Sequence, residues 1–104
     1  LHVLLLQNNV IEALPDELFS CLPNLIELNV SNNRLQSLSP RIGALTFLRE
    51  LRIANNTLRQ VPPSIALLDR LHTLDLSKNQ LEFVPYEMTR LPRLSKFWVQ
   101  GNRF

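Results

Sequence analysis

His72, Asp75 and Ser77 lie within six residues and supply the residue types of a hydrolytic triad: a base, a carboxylate to orient it and a hydroxyl nucleophile. Their spacing argues against that chemistry. Asp75 and Ser77 read as alternate residues of one strand with parallel side chains, and His72 precedes the strand. Nothing makes the three converge on one atom, and no oxyanion site is visible. His2 and His72 share a repeat position but stand about 14 Å apart at the strand spacing of a sheet, too far to share a metal. Cys21 has no His or Cys beside it in sequence and reads as a passive small residue. No glycine-rich phosphate loop exists. No catalytic residue, metal site or cofactor is expected.

What the chain does carry is a spacing pattern. Leu71-His-Thr-Leu-Asp-Leu-Ser-Lys-Asn79-Gln-Leu81 has the form L-x-x-L-x-L-x-x-N-x-L, and it occurs five times, starting at Leu1, Leu25, Leu48, Leu71 and Leu94. The starts are 24, 23, 23 and 23 residues apart, a period that marks a solenoid. Between copies runs L-P-x-x-I-x-x-L or a variant of it: Leu14-Pro15 with Leu18, Val61-Pro62 with Ile65, Val84-Pro85 with Met88. Counting each first leucine as position 1, apolar residues fall at positions 1, 4, 6, 11, 14, 18 and 21. In the third repeat these are Leu48, Leu51, Ile53, Leu58, Val61, Ile65 and Leu68. Alternation at positions 4 and 6 is the mark of a strand with one buried face, and the later spacing of three and four suits a short helical turn. One such unit cannot bury its apolar face; stacked units can.

These motifs resemble the leucine-rich repeat family over all 104 residues. The 23-residue length with LPxxI is similar to the intracellular class found in Ras-binding repeat scaffolds, scribble-type polarity scaffolds and fungal adenylate cyclases. The resemblance implies an α/β fold: a right-handed leucine-rich repeat solenoid, or horseshoe, with a concave parallel β-sheet and short convex helical segments. The expected repeats are 1–24, 25–47, 48–70 and 71–93, with a partial repeat at 94–104. Leu1 falls directly inside a repeat, and position 11 of the fifth is Phe104. The segment is therefore expected to be cut from a longer array, because bare ends would expose core faces and strand edges. Gly101-Asn102-Arg103-Phe104 resembles the GNPF-like close of a late repeat, with Arg103 in place of proline.

Composition bounds the function classes. The chain is 45% hydrophobic and 19% charged with two glycines, which excludes disorder. No apolar run is long enough for a membrane span, and the start has no signal-peptide pattern. A net charge of +2 is too small to argue for nucleic acid, although residues 53–104 carry seven basic against four acidic side chains. A lone cysteine forbids a disulfide within the segment, which favours a cytoplasmic location. Two N-x-S/T sequons, Asn29-Val30-Ser31 and Asn55-Asn56-Thr57, run against that; Asn29 lies mid-strand, whereas Asn55 lies in a turn.

Two sets of polar residues stand out. Asn9, Asn33, Asn56, Asn79 and Asn102 occupy position 9, where a buried amide can pair the backbone groups of the turn leaving each strand; they are expected to form a structural ladder. Positions 3 and 5 point away from the core and form columns across the concave face. Column 3 reads Val3, Glu27, Glu50, Thr73, Lys96, and column 5 reads Leu5, Asn29, Arg52, Asp75, Trp98. Column 7 (Gln7, Ser31, Ala54, Ser77, Gln100) and position 8 (Asn8, Asn32, Asn55, Lys78, Gly101) complete the face as positions that packing leaves free.

By resemblance, Glu27, Asn29, Glu50, Arg52, Thr73, Asp75, Lys96 and Trp98 are the candidate partner-binding residues. Trp98 suits an interface anchor, or else packs under a further repeat. Glu27 and Glu50 stand side by side and either receive a partner's basic group or are neutralised by Arg49 or Arg52. Arg52 beside Asp75 reads as a lateral ion pair. Pro15, Pro62 and Pro85 are expected to start the helical segments, with Ser39-Pro40 as cap and first residue in the second repeat. Phe47, Leu67, Phe83 and Tyr86 lie on the outer side and would mark a second interface if they cluster.

The expected function is a protein–protein interaction module of an intracellular signalling or scaffolding protein. The partner is a protein, by resemblance a small GTPase or another signalling protein. The alternatives are a recognition segment of a multidomain enzyme (cyclase, kinase or ligase) and an extracellular receptor ectodomain.

Overall fold

A computed structural model describes residues 1–104. Five three-residue strands, β1 (Val3–Leu5), β2 (Glu27–Asn29), β3 (Glu50–Arg52), β4 (Thr73–Asp75) and β5 (Lys96–Trp98), form one parallel sheet in sequence order. Parallel neighbours need a crossover, and each repeat supplies one as a helical segment on the opposite side. The register places Leu4, Leu28, Leu51, Leu74 and Phe97 in one inward row.

The periodic apolar positions fill the space between the sheet and the helical segments. In the second and third repeats all seven template residues are buried, from Leu25 to Leu45 and from Leu48 to Leu68. Leu4, Leu6 and Val99 are only partly buried, and Phe97 is exposed, as befits layers covered on one side.

The crossovers are the short helical segments expected, in two kinds. Only the first repeat makes an α-helix, α1 (Asp16–Cys21); the others make five-residue 3₁₀ segments at Pro40–Ala44, Pro63–Leu67 and Tyr86–Arg90. The extra residue of the first repeat explains the difference. Its closing N–H, on Leu22, reaches back four residues to the Leu18 carbonyl. Leu45, Leu68 and Leu91 reach back three, to Ile42, Ile65 and Met88. Lengthening the turn also rotates its buried side: Phe19 is 1% exposed, whereas Leu18, expected at the core position, is only partly buried.

The prolines sit one place earlier than expected. Pro15, Pro62 and Pro85 are the extended cap residues before the first helical position, not part of the turn. The second repeat behaves as read, with Ser39 as cap accepting from the Arg41 N–H and Pro40 at the start. Gly43 permits close stacking there. A Cβ on it would meet the Ser64 carbonyl oxygen and Leu67 Cδ1 at 2.9 Å.

Candidate functional site

Each strand is followed by a sharp turn, and the position 9 asparagines stitch these turns together. Asn56 shows the full arrangement. Its Nδ2 donates to the carbonyls of Ile53 and Ala54 in its own turn and to Val30 in the preceding repeat, while its Oδ1 accepts from the Leu35 N–H at 2.9 Å. Asn33 and Asn79 repeat this pattern, both buried. Asn102 likewise reaches the Leu76 carbonyl and the Leu81 N–H. Asn9 differs: it is exposed and bonds only the carbonyls of Leu6 and Gln7 in its own turn.

Position 8, read as free, is constrained. Asn8, Asn32, Asn55, Lys78 and Gly101 all have positive φ, from 56° to 75°. That left-handed conformation favours asparagine and glycine over other residues. The asparagines form a second, exposed ladder, with Asn32 Nδ2 donating to Asn8 Oδ1 at 2.8 Å and Asn55 Nδ2 to Asn32 Oδ1 at 2.7 Å.

On these turns rests the open face of the sheet. Column 3 runs Val3, Glu27, Glu50, Thr73, Lys96 and column 5 runs Leu5, Asn29, Arg52, Asp75, Trp98, in register. Val3, Leu5 and Trp98 are 44%, 53% and 37% exposed. The face therefore has a charged and polar centre with apolar side chains at both ends. Val3 and Leu5 were not among the candidates; aliphatic residues where the other repeats place polar ones were the available signal.

Thr73 must be removed from the candidate contacts. It is 1% exposed, its column neighbours are Glu50 and Lys96, and its hydroxyl lies 2.8 Å from His72 Nδ1. The Arg52–Asp75 pair also fails. Arg52 instead lies 3.7 Å from Glu50 on its own strand, both side chains about a third exposed. Position 3 and position 5 side chains of one strand share a face, so this short reach competes with the lateral one. Glu27 has no ion-pair partner.

Asp75 is engaged differently: its Oδ1 accepts from the Ser77 N–H at 3.0 Å and the Ser77 hydroxyl at 2.6 Å. Asn29 Oδ1 accepts likewise from the Ser31 N–H. Ser77 is thus buried beyond the end of β4 and folded back on Asp75, not parallel to it. His72 is bonded to Thr73 and joins neither Asp75 nor Ser77, so the triad letters assemble no catalytic site.

On the outer side Phe47, Leu67, Phe83 and Tyr86 are exposed. Phe47 and Phe83 line separate clefts. The Arg70 guanidinium stacks 4.5 Å from the Phe47 ring, and Arg90 lies 5.8 Å from Tyr86. Sequence reading also missed an open cleft of about 520 Å³ lined by Arg49, Arg70, His72 and Arg93. Basic residues recurring at repeat positions 2 and 23 were its signal.

A sequence profile described as leucine rich repeat matches residues 1–43 and 46–104, and one for paired leucine rich repeats matches residues 23–67. No curated protein matches the sequence. Among solved structures, a leucine-rich repeat protein of Leptospira interrogans is 36% identical over 96% of this chain, with a TM-score of 0.93. An internalin of Listeria monocytogenes is 25% identical over 98% of the chain, with a TM-score of 0.86. The Arabidopsis receptor kinase HAESA, solved in complex with the peptide hormone IDA and the co-receptor SERK1, is 29% identical over 95%, with a TM-score of 0.87. The chain spans 25%, 28% and 17% of the lengths of those three chains.

Proposed function

We propose, from the premise that this chain belongs to the leucine-rich repeat family, that it is the protein-recognition module of a larger signalling or scaffolding protein and binds its partner on the concave face of the sheet. The observation that carries this reading is the contrast between the two sides of each strand. Inward residues are fixed by packing, whereas the outward columns leave Trp98, Val3 and Leu5 exposed to solvent and Glu27 without an ion-pair partner. Large exposed aromatics and desolvated charges are what interfaces use as anchors. The face is held by short strands and hydrogen-bonded turns, so little order has to be gained on binding. The family's modules typically recognise partners and do not catalyse.

Two settings fit the module. A cytoplasmic scaffold, with a small GTPase or another signalling protein as partner, is supported by the 23-residue LPxxI repeats and the unpaired Cys21. A segment of an extracellular receptor is supported by likeness to HAESA, whose complex holds a peptide hormone, and by the exposed Asn55 sequon. Glycosidase treatment of the protein from its own cells separates them. A mobility shift abolished by Asn55→Gln places it outside the cytoplasm; the cytoplasmic setting requires no shift.

The binding face is tested by capture from the protein's own cell extract, with native chain beside a folded Trp98→Ala/Arg52→Glu variant. Loss of the captured partner in the variant supports the concave face. An unchanged captured set contradicts it.

A further inference from the structure

We propose that a second recognition surface lies along the leading edge of the sheet, where the strands begin, and binds a short acidic peptide segment of a protein partner. It rests on the reading of the chain as a protein-binding module but uses none of the concave-column residues.

The backbone builds this surface. The Arg49 carbonyl accepts the N–H groups of both His72 and Thr73, at 3.0 and 3.1 Å, which places Arg49 and His72 on adjacent rungs. Arg70 and Arg93 hold the same position in successive repeats, three residues before β4 and β5 begin, so they too are one repeat apart. All four line one open cleft. Its cations are uncompensated: the ion pairs in the structure are Arg41–Asp16 and Arg52–Glu50, and neither includes a cleft residue. Like charges gathered this closely repel, and an incoming anion relieves that repulsion. Guanidinium forks match carboxylates in bidentate geometry. Stacking of Arg70 on Phe47 holds one fork in place before any ligand arrives.

The size and surroundings of the cleft choose the occupant. At one strand spacing per repeat it extends roughly 10–14 Å, the length of three or four extended residues. Unpaired Glu27 lies in the next column, one strand beyond Arg49, and would repel a longer polyanion such as a nucleic acid. Beyond Arg49 and Arg70, a second cleft adds Ile26 and Phe47, an apolar seat for a hydrophobic residue flanking the acidic ones.

The test is fluorescence anisotropy of the chain with a labelled peptide of alternating aspartate and leucine. An asparagine-for-aspartate peptide is the control, and a single-stranded oligodeoxynucleotide of equal charge is the competitor. The aspartate peptide should bind, and its affinity should fall as salt rises from about 50 to about 300 mM. Arg49→Ala/Arg93→Ala should weaken it about tenfold or more, because charge-assisted hydrogen bonds are lost. Both arginines are exposed, so the variant should stay folded, which circular dichroism checks. Trp98→Ala should leave the affinity unchanged. The proposal is overturned if the aspartate peptide fails to bind, if the control binds equally, if the arginine variant binds like the native chain, or if the oligonucleotide displaces the peptide at equal charge. Loss of binding in Trp98→Ala alone would move the peptide to the concave face, ending this proposal while leaving that face as the binding site.

Discussion

Two adjacent asparagines in one turn do different work, and the difference is measurable. Asn56 pairs groups of two repeats from a buried position, so Asn56→Ala leaves the Leu35 N–H unmatched, while the Val30 carbonyl keeps the bond from Asn33. The expected loss is about 1–3 kcal/mol in urea unfolding, against less than about 0.5 kcal/mol for exposed Asn9→Ala. Next to it, position 8 needs a left-handed backbone, and Lys78 breaks the exposed ladder there. Lys78→Asn should relieve the conformational cost and donate to Asn55, raising stability by about 0.5–1.5 kcal/mol in the same assay. The position 9 asparagines were legible because a polar residue recurs amid apolar ones. The role of position 8 was not, because the sign of φ leaves no hydrophobic period. The doubled Asn-Asn of the first three repeats was its trace. Side-chain pairing was harder still: Arg52 had Glu50 and Asp75 both in reach, and rotamer geometry made the choice.

At the scale of elements, one residue decides between two helix types. The first repeat, of 24 residues, closes its turn four residues back as an α-helix; the 23-residue repeats close three back as 3₁₀ segments. The insertion was plain in the sequence, but its effect on the buried side of the turn was not. Leu18 fits the template while Phe19 fills the core. Phe19→Ala should therefore cost about 3–5 kcal/mol and Leu18→Ala distinctly less, measured by thermal or denaturant unfolding. The opposite order would mean that the turn is 3₁₀ in solution. Strand positions, by contrast, were fully readable, because period-2 alternation with one apolar face permits only one register.

The whole molecule follows from repetition. Each layer buries its apolar residues against the next, so the inward positions are determined by packing and the outward ones are open to selection by a partner. That division is why the fold, the sheet and its columns could be read from spacing, while the identity of what binds could not. Accessibility depends on neighbours in three dimensions. Thr73 belongs to the right column yet is covered, and Val3 and Leu5 stand exposed in the same two columns. The two surfaces proposed, concave and leading edge, lie on the same rigid sheet and allow one partner to engage both, or two partners to compete. The dissociation constant of the captured partner for the native chain and for Trp98→Ala tests the central claim most directly. Binding through the concave face predicts a loss of about 2 kcal/mol or more, roughly thirtyfold, as for an aromatic anchor. An unchanged constant in a folded Trp98→Ala variant would contradict it.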